Sequence, residues 1–372
     1  MKILFCTNQV NRHGGIERIL SQKINFLIQD LGHDVYLSTF EQNNKKPVYK
    51  LDDNCKIKDL NVNYDSNASY YHPKNLLKVV QHYFKLKKEI KTINPDVVVS
   101  ISFTPDQYFI PFINKKIPKI KELHSSGSIV SNGLSDGNVL SKFYRNYLFN
   151  IFKKYDRLIL LTKDENQYFD DKNTIVIANF SDFEIQNNIV RENTIIAVGR
   201  IADVKNFQDL IDIWHLIHEK YPDWKIKIFG DGDDKYIHNL KSKIENLGLT
   251  NSFLIFPSTN SIQIEMQKAS IYAMTSLTEC FPMVLLEAQI CGLPIVSYDC
   301  PNGPRNVVDN ENDGFLIEDK NKNSFAEHLI LLIENDNLRA TLSQNAQLNV
   351  QRFSKINVID KWKQLLKSLH KI

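Results

Sequence analysis

Residues 2–40, KILFCTNQVNRHGGIERILSQKINFLIQDLGHDVYLSTF, carry the pattern that organises the whole chain. An apolar run at Ile3–Cys6 leads into a polar, glycine-containing loop. Apolar residues at helical spacing follow (Ile16, Ile19, Leu20, Ile24, Leu27, Leu31), and a second apolar run occupies Val35–Phe40. Short continuous runs rich in Val and Ile, separated by a 3.6-residue period, are buried strands joined by amphipathic helices. Similar runs recur at Val97–Ile101, Leu158–Leu161, Ile195–Val198, Ile226–Phe229, Phe253–Phe256, Ile271–Met274 and Ile295–Tyr298. The pattern predicts an α/β fold of doubly wound parallel sheets covered by helices on both faces. A chain of 372 residues is too long for one ordinary core and long enough for two domains. The polar stretch Ser181–Asn193 lacks a core pattern and marks the expected boundary. A first domain is expected over 1–185 and a second over 186–355. A last helix, Ile356–His370, is expected to bring 356–372 back to the first.

Composition narrows the class. Hydrophobic residues make up 42% and charged residues 24%, which fits neither a disordered nor a fibrous chain. No apolar run approaches the roughly 20 residues that span a bilayer, and the opening run is too short for a signal peptide. A cytoplasmic location is the expectation. The five cysteines form no CxxC pair and no pattern with nearby His, so they read as buried free thiols rather than zinc ligands or disulfides. The net charge of +3 is unevenly spread: residues 1–180 hold 26 Lys and Arg against 18 Asp and Glu. A basic front half suits an anionic partner, either phosphate esters or a membrane surface. Its exposed basic stretches are expected at Lys74–Lys91, at Lys115–Lys121 and on the aromatic-rich helix Phe143–Lys154. No recognisable DNA- or RNA-binding module is present, so nucleic acid is not an expected partner.

Four segments place chemistry at strand ends. In TECFPMVLLEAQICGLP (Thr278–Pro294), Pro282 suits the first position of a helix, where its missing N–H costs nothing. The amides near Phe281, Met283 and Val284 then lie free at a positive helix end, an anion site. Glu279 precedes that helix. Glu287 lies inside it, a carboxylate in an apolar run that is expensive to bury without a partner. In IIAVGRIADVKN (Ile195–Asn206), Arg200 and Lys205 share the loop between a strand and a helix beginning near Asn206, where two cations can clamp a diphosphate. At the front, His13-Gly14-Gly15 opens the first helix, and its glycines permit close backbone approach to a phosphate or sugar. Gly230-Asp231-Gly232 is a lone glycine turn of structural type. Glu122 and His124 end the strand in IPKIKELHSS.

Read together, these segments resemble the retaining family 4 glycosyltransferases, the glycogen-synthase-like group with two Rossmann-like domains facing a cleft. The most specific element is Glu279-x7-Glu287 within ECFPMVLLEAQICGLPIV. VGRIADVKN is similar to the family's VGRL-x3-KG/N motif, and NRHGGIERIL to its glycine-rich loop. IANF around Asn179 is similar to the IPN segment, and FSKINVIDKWKQLL to the closing helix. The resemblance implies that Arg200 and Lys205 neutralise the diphosphate of a nucleotide-sugar donor, UDP-linked by preference, and that the amides from Phe281 to Val284, beside Pro282, hold its oxygens. It further assigns Glu287 to the ribose hydroxyls, Glu279 to those of the transferred sugar, Gly14 and Gly15 to the far side of the phosphates, and His124 to the sugar near the leaving group. It implies retention of configuration without a protein nucleophile, and neither a cofactor nor a metal. The implied acceptor is a glycan or a polyprenyl-diphosphate-linked glycan in bacterial surface polysaccharide assembly, met by a peripheral protein on the inner face of the membrane. Pro257 and Asn306 depart from the family pattern at the base and sugar pockets. The competing readings are a nucleotide-sugar epimerase or phosphorylase of the same architecture, and a non-catalytic sugar-binding subunit.

Overall fold

A computed structural model describes every residue except 13, 66, 71, 102, 128–138, 170–171, 186–188 and 370–372. The chain divides into two compact units, Met1–Asn179 with Val358–Ile372, and Phe180–Asn357.

The first unit is built on a parallel sheet of β1 (Lys2–Cys6), β2 (Asp34–Thr39), β3 (Lys56–Asp59), β4 (Val97–Ser100), β5 (Lys119–Glu122), β6 (Arg157–Leu160) and β7 (Thr174–Val176), in the order 3-2-1-4-5-6-7. Helices α1 (Gly15–Gln29), α2 (Pro73–Ile93) and α3 (Val139–Phe152) join its strands. Ile3, Leu4 and Phe5 on β1 and Val97, Val98 and Val99 on β4 are fully buried, as strands covered on both faces require. The buried basic residues of β5 need partners of their own, and the expectation of a basic surface at Lys115–Lys121 is corrected here. Lys119 and Lys121 are buried, because β5 lies between β4 and β6 in the sheet. Lys119 Nζ donates to the carbonyls of Asn114 and Ile117. Lys121 Nζ donates to Ser100 Oγ at 3.2 Å and lies 5.4 Å from the Phe103 ring.

The second unit repeats the plan with β8 (Thr194–Val198), β9 (Lys225–Phe229), β10 (Phe253–Phe256), β11 (Ile271–Met274), β12 (Ile295–Tyr298) and β13 (Gly314–Ile317), all parallel, in the order 10-9-8-11-12-13. Its helices are α4 (Phe207–Ile217), α5 (Asp234–Asn246), α6 (Ile262–Lys268), α7 (Met283–Ile290), α8 (Lys322–Glu334) and α9 (Asp336–Asn349). Trp214 of α4 is wholly buried in this core and satisfies its indole N–H on Ser252 Oγ at 3.0 Å. Gly230 follows β9 where a Cβ would overlap the Gly199 carbonyl after β8, so the two strand ends meet backbone to backbone. That turn is structural.

The last helix, α10 (Lys355–Leu369), buries Val358, Trp362, Leu365, Leu366 and Leu369. Lys23 Nζ of α1 lies 4.7 Å from the Trp362 ring, fixing the helix to the first unit. His370 and His13 lie outside the described residues. Among the described residues no helix is long and apolar enough to cross a membrane. All five cysteines are free; Cys6, Cys291 and Cys300 are buried, whereas Cys55 and Cys280 are partly exposed.

Candidate functional site

In a doubly wound sheet the crevice for ligands lies beyond the carboxyl ends of the strands, where the strand order reverses. In the second unit that point is between β8 and β11, which pair side by side while their onward connections run to opposite edges. Arg200 follows β8, and Lys205 ends a single 3-10 turn, Asp203–Lys205, ahead of α4. Glu279 follows β11. The two loops are braced against each other: Thr275 Oγ1 donates to the carbonyls of Lys205 (3.2 Å) and Asn206 (3.0 Å), and Leu277 N donates to the Val204 carbonyl at 2.9 Å. Lys205 Nζ donates to Glu279 Oε1 at 2.6 Å, with the two side chains 20% and 13% exposed. Arg200 is exposed and forms no ion pair among the described residues.

Pro282 caps α7 rather than opening it, one position earlier than the sequence suggested. No side chain caps this end, and Leu285 N reaches back to the Pro282 carbonyl at 3.0 Å. Met283 and Val284 therefore present the orphan amides of the first turn. Phe281 is buried edge-on against Phe353, 5.4 Å between centroids. Glu287, one and a half turns into α7, is 2% exposed. Burial and its carboxylate push the Cys291 thiol up to about 12, and burial together with Glu279 pushes Cys300 up to about 12. The loop after β12 packs on Glu279, for a Cβ at Gly303 would come within 2.5 Å of the Glu279 Cβ. Asn306, where the family resemblance leads one to expect an acid, donates through Nδ2 to the Asn302 carbonyl at 2.7 Å and closes that loop on itself. Arg305 is clamped on Asp299 by two bonds of 2.9 and 2.8 Å. Phe229 and Phe256 stack at the ends of β9 and β10, 5.0 Å apart.

In the first unit, Gly14 caps α1 in extended conformation, Gly15 is exposed, and the Glu17 side chain packs against Gly14. Glu122 at the end of β5 is wholly buried and binds both Lys23 Nζ of α1 and His124 Nε2, the latter at 3.2 Å. Burial alone would raise the Glu122 pKa, but the Lys23 ammonium and the His124 contact hold it at about 2. Burial lowers the His124 pKa against the opposing pull of Glu122, so the ring is neutral at pH 7. A neutral ring facing an ionised carboxylate through Nε2 carries its proton there, leaving Nδ1 as an acceptor. The structure thus gathers Arg200, Lys205, Glu279, Phe281–Val284 and Glu287 around one switch point and places Gly14, Gly15 and His124 in the other unit. The sequence reading missed Lys23 and Thr275, whose partners Glu122 and Lys205 lie 99 and 70 residues away along the chain.

Residues 179–349 match the family described as Glycosyl transferases group 1. A glycosyltransferase of amylovoran biosynthesis from Erwinia amylovora is 27% identical over 98% of this chain and 99% of its own. The chain is a glycosyltransferase, with a group 1 domain at 179–349. A Campylobacter jejuni α-1,4-N-acetyl-D-galactosaminyltransferase, named for an undecaprenyl-diphosphate-linked GalNAc glycan, is 25% identical to this glycosyltransferase over 98% of each chain. The crystal structure of Anabaena HepE in complex with UDP superposes on it with a TM-score of 0.77 at 19% identity, over 99% of this chain and 100% of that one. That likeness carries the fold, two Rossmann-like units of the glycosyltransferase B type.

Proposed function

We propose that the protein transfers a sugar, with retention of configuration and without a metal, from a UDP-linked donor to a hydroxyl of a glycan or polyprenyl-diphosphate-linked acceptor in bacterial surface polysaccharide assembly. The carrying observation is the convergence of two cations and an uncapped helix end on the β8/β11 switch point. Loss of the nucleoside diphosphate leaves an oxocarbenium-like sugar, so the principal task is to stabilise negative charge on the leaving group. Arg200 and Lys205 offset that charge, and the amides of Met283 and Val284, with Phe281 and Pro282 shaping the turn, donate to the phosphate oxygens. Glu287 takes the ribose hydroxyls and Glu279 those of the transferred sugar. The family resemblance brings Gly14, Gly15 and His124 into the same reading, His124 offering a sugar hydroxyl the acceptor nitrogen that Glu122 leaves free. The acceptor hydroxyl attacks on the face the leaving group departs from, and its proton passes to the departing phosphate oxygen.

The acceptor class is supported by the two whole-length relatives, one named for amylovoran biosynthesis and the other for an undecaprenyl-diphosphate-linked glycan. The UDP preference is supported by the UDP complex of the structural relative. We assign the membrane contact to the outward stripe of α2. Leu76, Leu77, Val80 and Phe84 there are 49%, 80%, 53% and 61% exposed, and Lys87, Lys88 and Lys91 continue the exposed face. Apolar insertion joined to about 1 kcal/mol per basic residue gives reversible binding to an anionic leaflet.

The deciding experiment is a panel of nucleotide sugars scored by thermal stabilisation, then by release of UDP with and without acceptor. A donor at 100 times its dissociation constant adds about 2.7 kcal/mol. Stabilisation by a UDP-sugar and turnover that requires an acceptor hydroxyl are expected. Acceptor-independent isomerisation of the sugar would instead mark an epimerase.

A further inference from the structure

Lys205 and Glu279, assigned above to the diphosphate and to the sugar respectively, are bonded to each other at 2.6 Å. Arg200, on the same loop, keeps its charge unpaired among the described residues. The loops carrying Lys205 and Glu279 are cross-braced through Thr275 and Leu277, so the pair opens by side-chain rotation without moving either backbone. A diphosphate arriving at the switch point competes with Glu279 for the Lys205 ammonium. The displaced carboxylate is only 13% exposed and gains little from water in exchange. The hydroxyls of an intact nucleotide sugar donate to it and make good the loss; a bare nucleoside diphosphate has no sugar to do so.

We infer that the Lys205–Glu279 pair is a latch that discriminates between donor and product. It yields to a nucleotide that still carries its sugar and closes again on Lys205 once the sugar has gone, expelling the nucleoside diphosphate. Glu279 is then a specificity-determining residue for the nucleotide as well as a contact to the sugar. The inference rests on the donor-site reading above. A purely structural role, in which Glu279 merely holds Lys205 in place, has the opposite sign in a binding experiment.

The test is calorimetric titration of the full chain with UDP, and with GDP and inorganic pyrophosphate as alternates, for the wild type, Glu279→Gln, Lys205→Ala, the double variant and Arg200→Ala. Melting curves verify that each is folded. Glu279→Gln is expected to bind UDP about fivefold tighter than the wild type, the size of a partly exposed ion pair relieved of competition. In the Lys205→Ala background the same change is expected to give no gain. Equal or weaker UDP binding by Glu279→Gln overturns the latch in favour of simple positioning. A gain of full size without Lys205 also overturns it, since removal of a negative charge then suffices. Wild-type binding of UDP that is lost in Arg200→Ala upholds the donor site whichever way Glu279→Gln behaves. Failure of the wild type to bind any of the three anions removes the donor site and the latch together.

Discussion

Replacing Arg200 and Lys205 by alanine separates catalysis from stability at two cations on one loop. Arg200 is exposed and has no carboxylate among the described residues, so Arg200→Ala removes no internal bond. Its melting temperature should stay within the scatter of an ordinary surface change, about 0.5 kcal/mol. Lys205→Ala breaks the 2.6 Å pair to Glu279. Because both partners retain some exposure, solvent screening limits that cost to about 1 kcal/mol, or roughly 2–4 °C for a unit of this size. Catalysis should fall in both. Each ammonium or guanidinium contact to the leaving diphosphate is worth about 1.5–3 kcal/mol in the ground state, and losing one donor to developing charge costs about 10²–10³ in rate. The assay is UDP release in the presence of acceptor, with melting curves run in parallel. Near-wild-type turnover in both single variants refutes the charge clamp. Loss of activity accompanied by unfolding of Arg200→Ala refutes the separation of the two roles.

Turnover should persist in excess chelator, since two cations and the α7 amides already offset the phosphate charge; complete loss restored by manganese would contradict this. The depressed Glu122 pKa contributes stability that is fully present above its unfolded value near 4.5 and is lost as pH falls through about 2, on the order of 3 kcal/mol at most. Urea unfolding from pH 7 to 3 should therefore show the advantage of the wild type over Glu122→Gln shrinking with acid, and a constant gap would show that Glu122 is not held ionised. Anionic liposomes should co-sediment with the protein at low salt, and binding should drop when Lys87, Lys88 and Lys91 become Glu. Lys85 is a poor choice for that series because its ammonium is already bonded to the carbonyls of Leu60 and Asn61. Indifference to anionic liposomes would leave a soluble acceptor.

The strands that carry the candidate site were legible because they are short, uninterrupted and apolar: β8 and β11 announce themselves as Ile195–Val198 and Ile271–Met274, and the polar residues just beyond them stand out against that background. The weak strands were less so. β3 reads KIKD and is exposed along most of its length, and β7 has only three residues, so neither produces a long enough apolar signal. β5, the near-identical KIKE, is wholly buried. Local composition therefore cannot separate β3 from β5. The difference lies in partners far along the chain: Lys23, 99 residues from Glu122, and Ser100, 21 residues from Lys121. A charge in a strand is tolerated inside a sheet only when such a partner exists, and a window of a few residues cannot contain it. The same reasoning redistributes the basic surface. Lys119 and Lys121 are committed to carbonyls and a hydroxyl within the first unit, and Lys85 to the loop at Leu60. Lys87, Lys88 and Lys91 stay exposed and continue the apolar stripe of α2, as Lys115, Lys116, Lys153 and Lys154 stay exposed elsewhere. The expected stretch Phe143–Lys154 keeps the same two ingredients of interfacial binding, with Phe143 and Tyr147 exposed beside Lys153 and Lys154, so the excess of lysine is reduced in extent but not to a single helix.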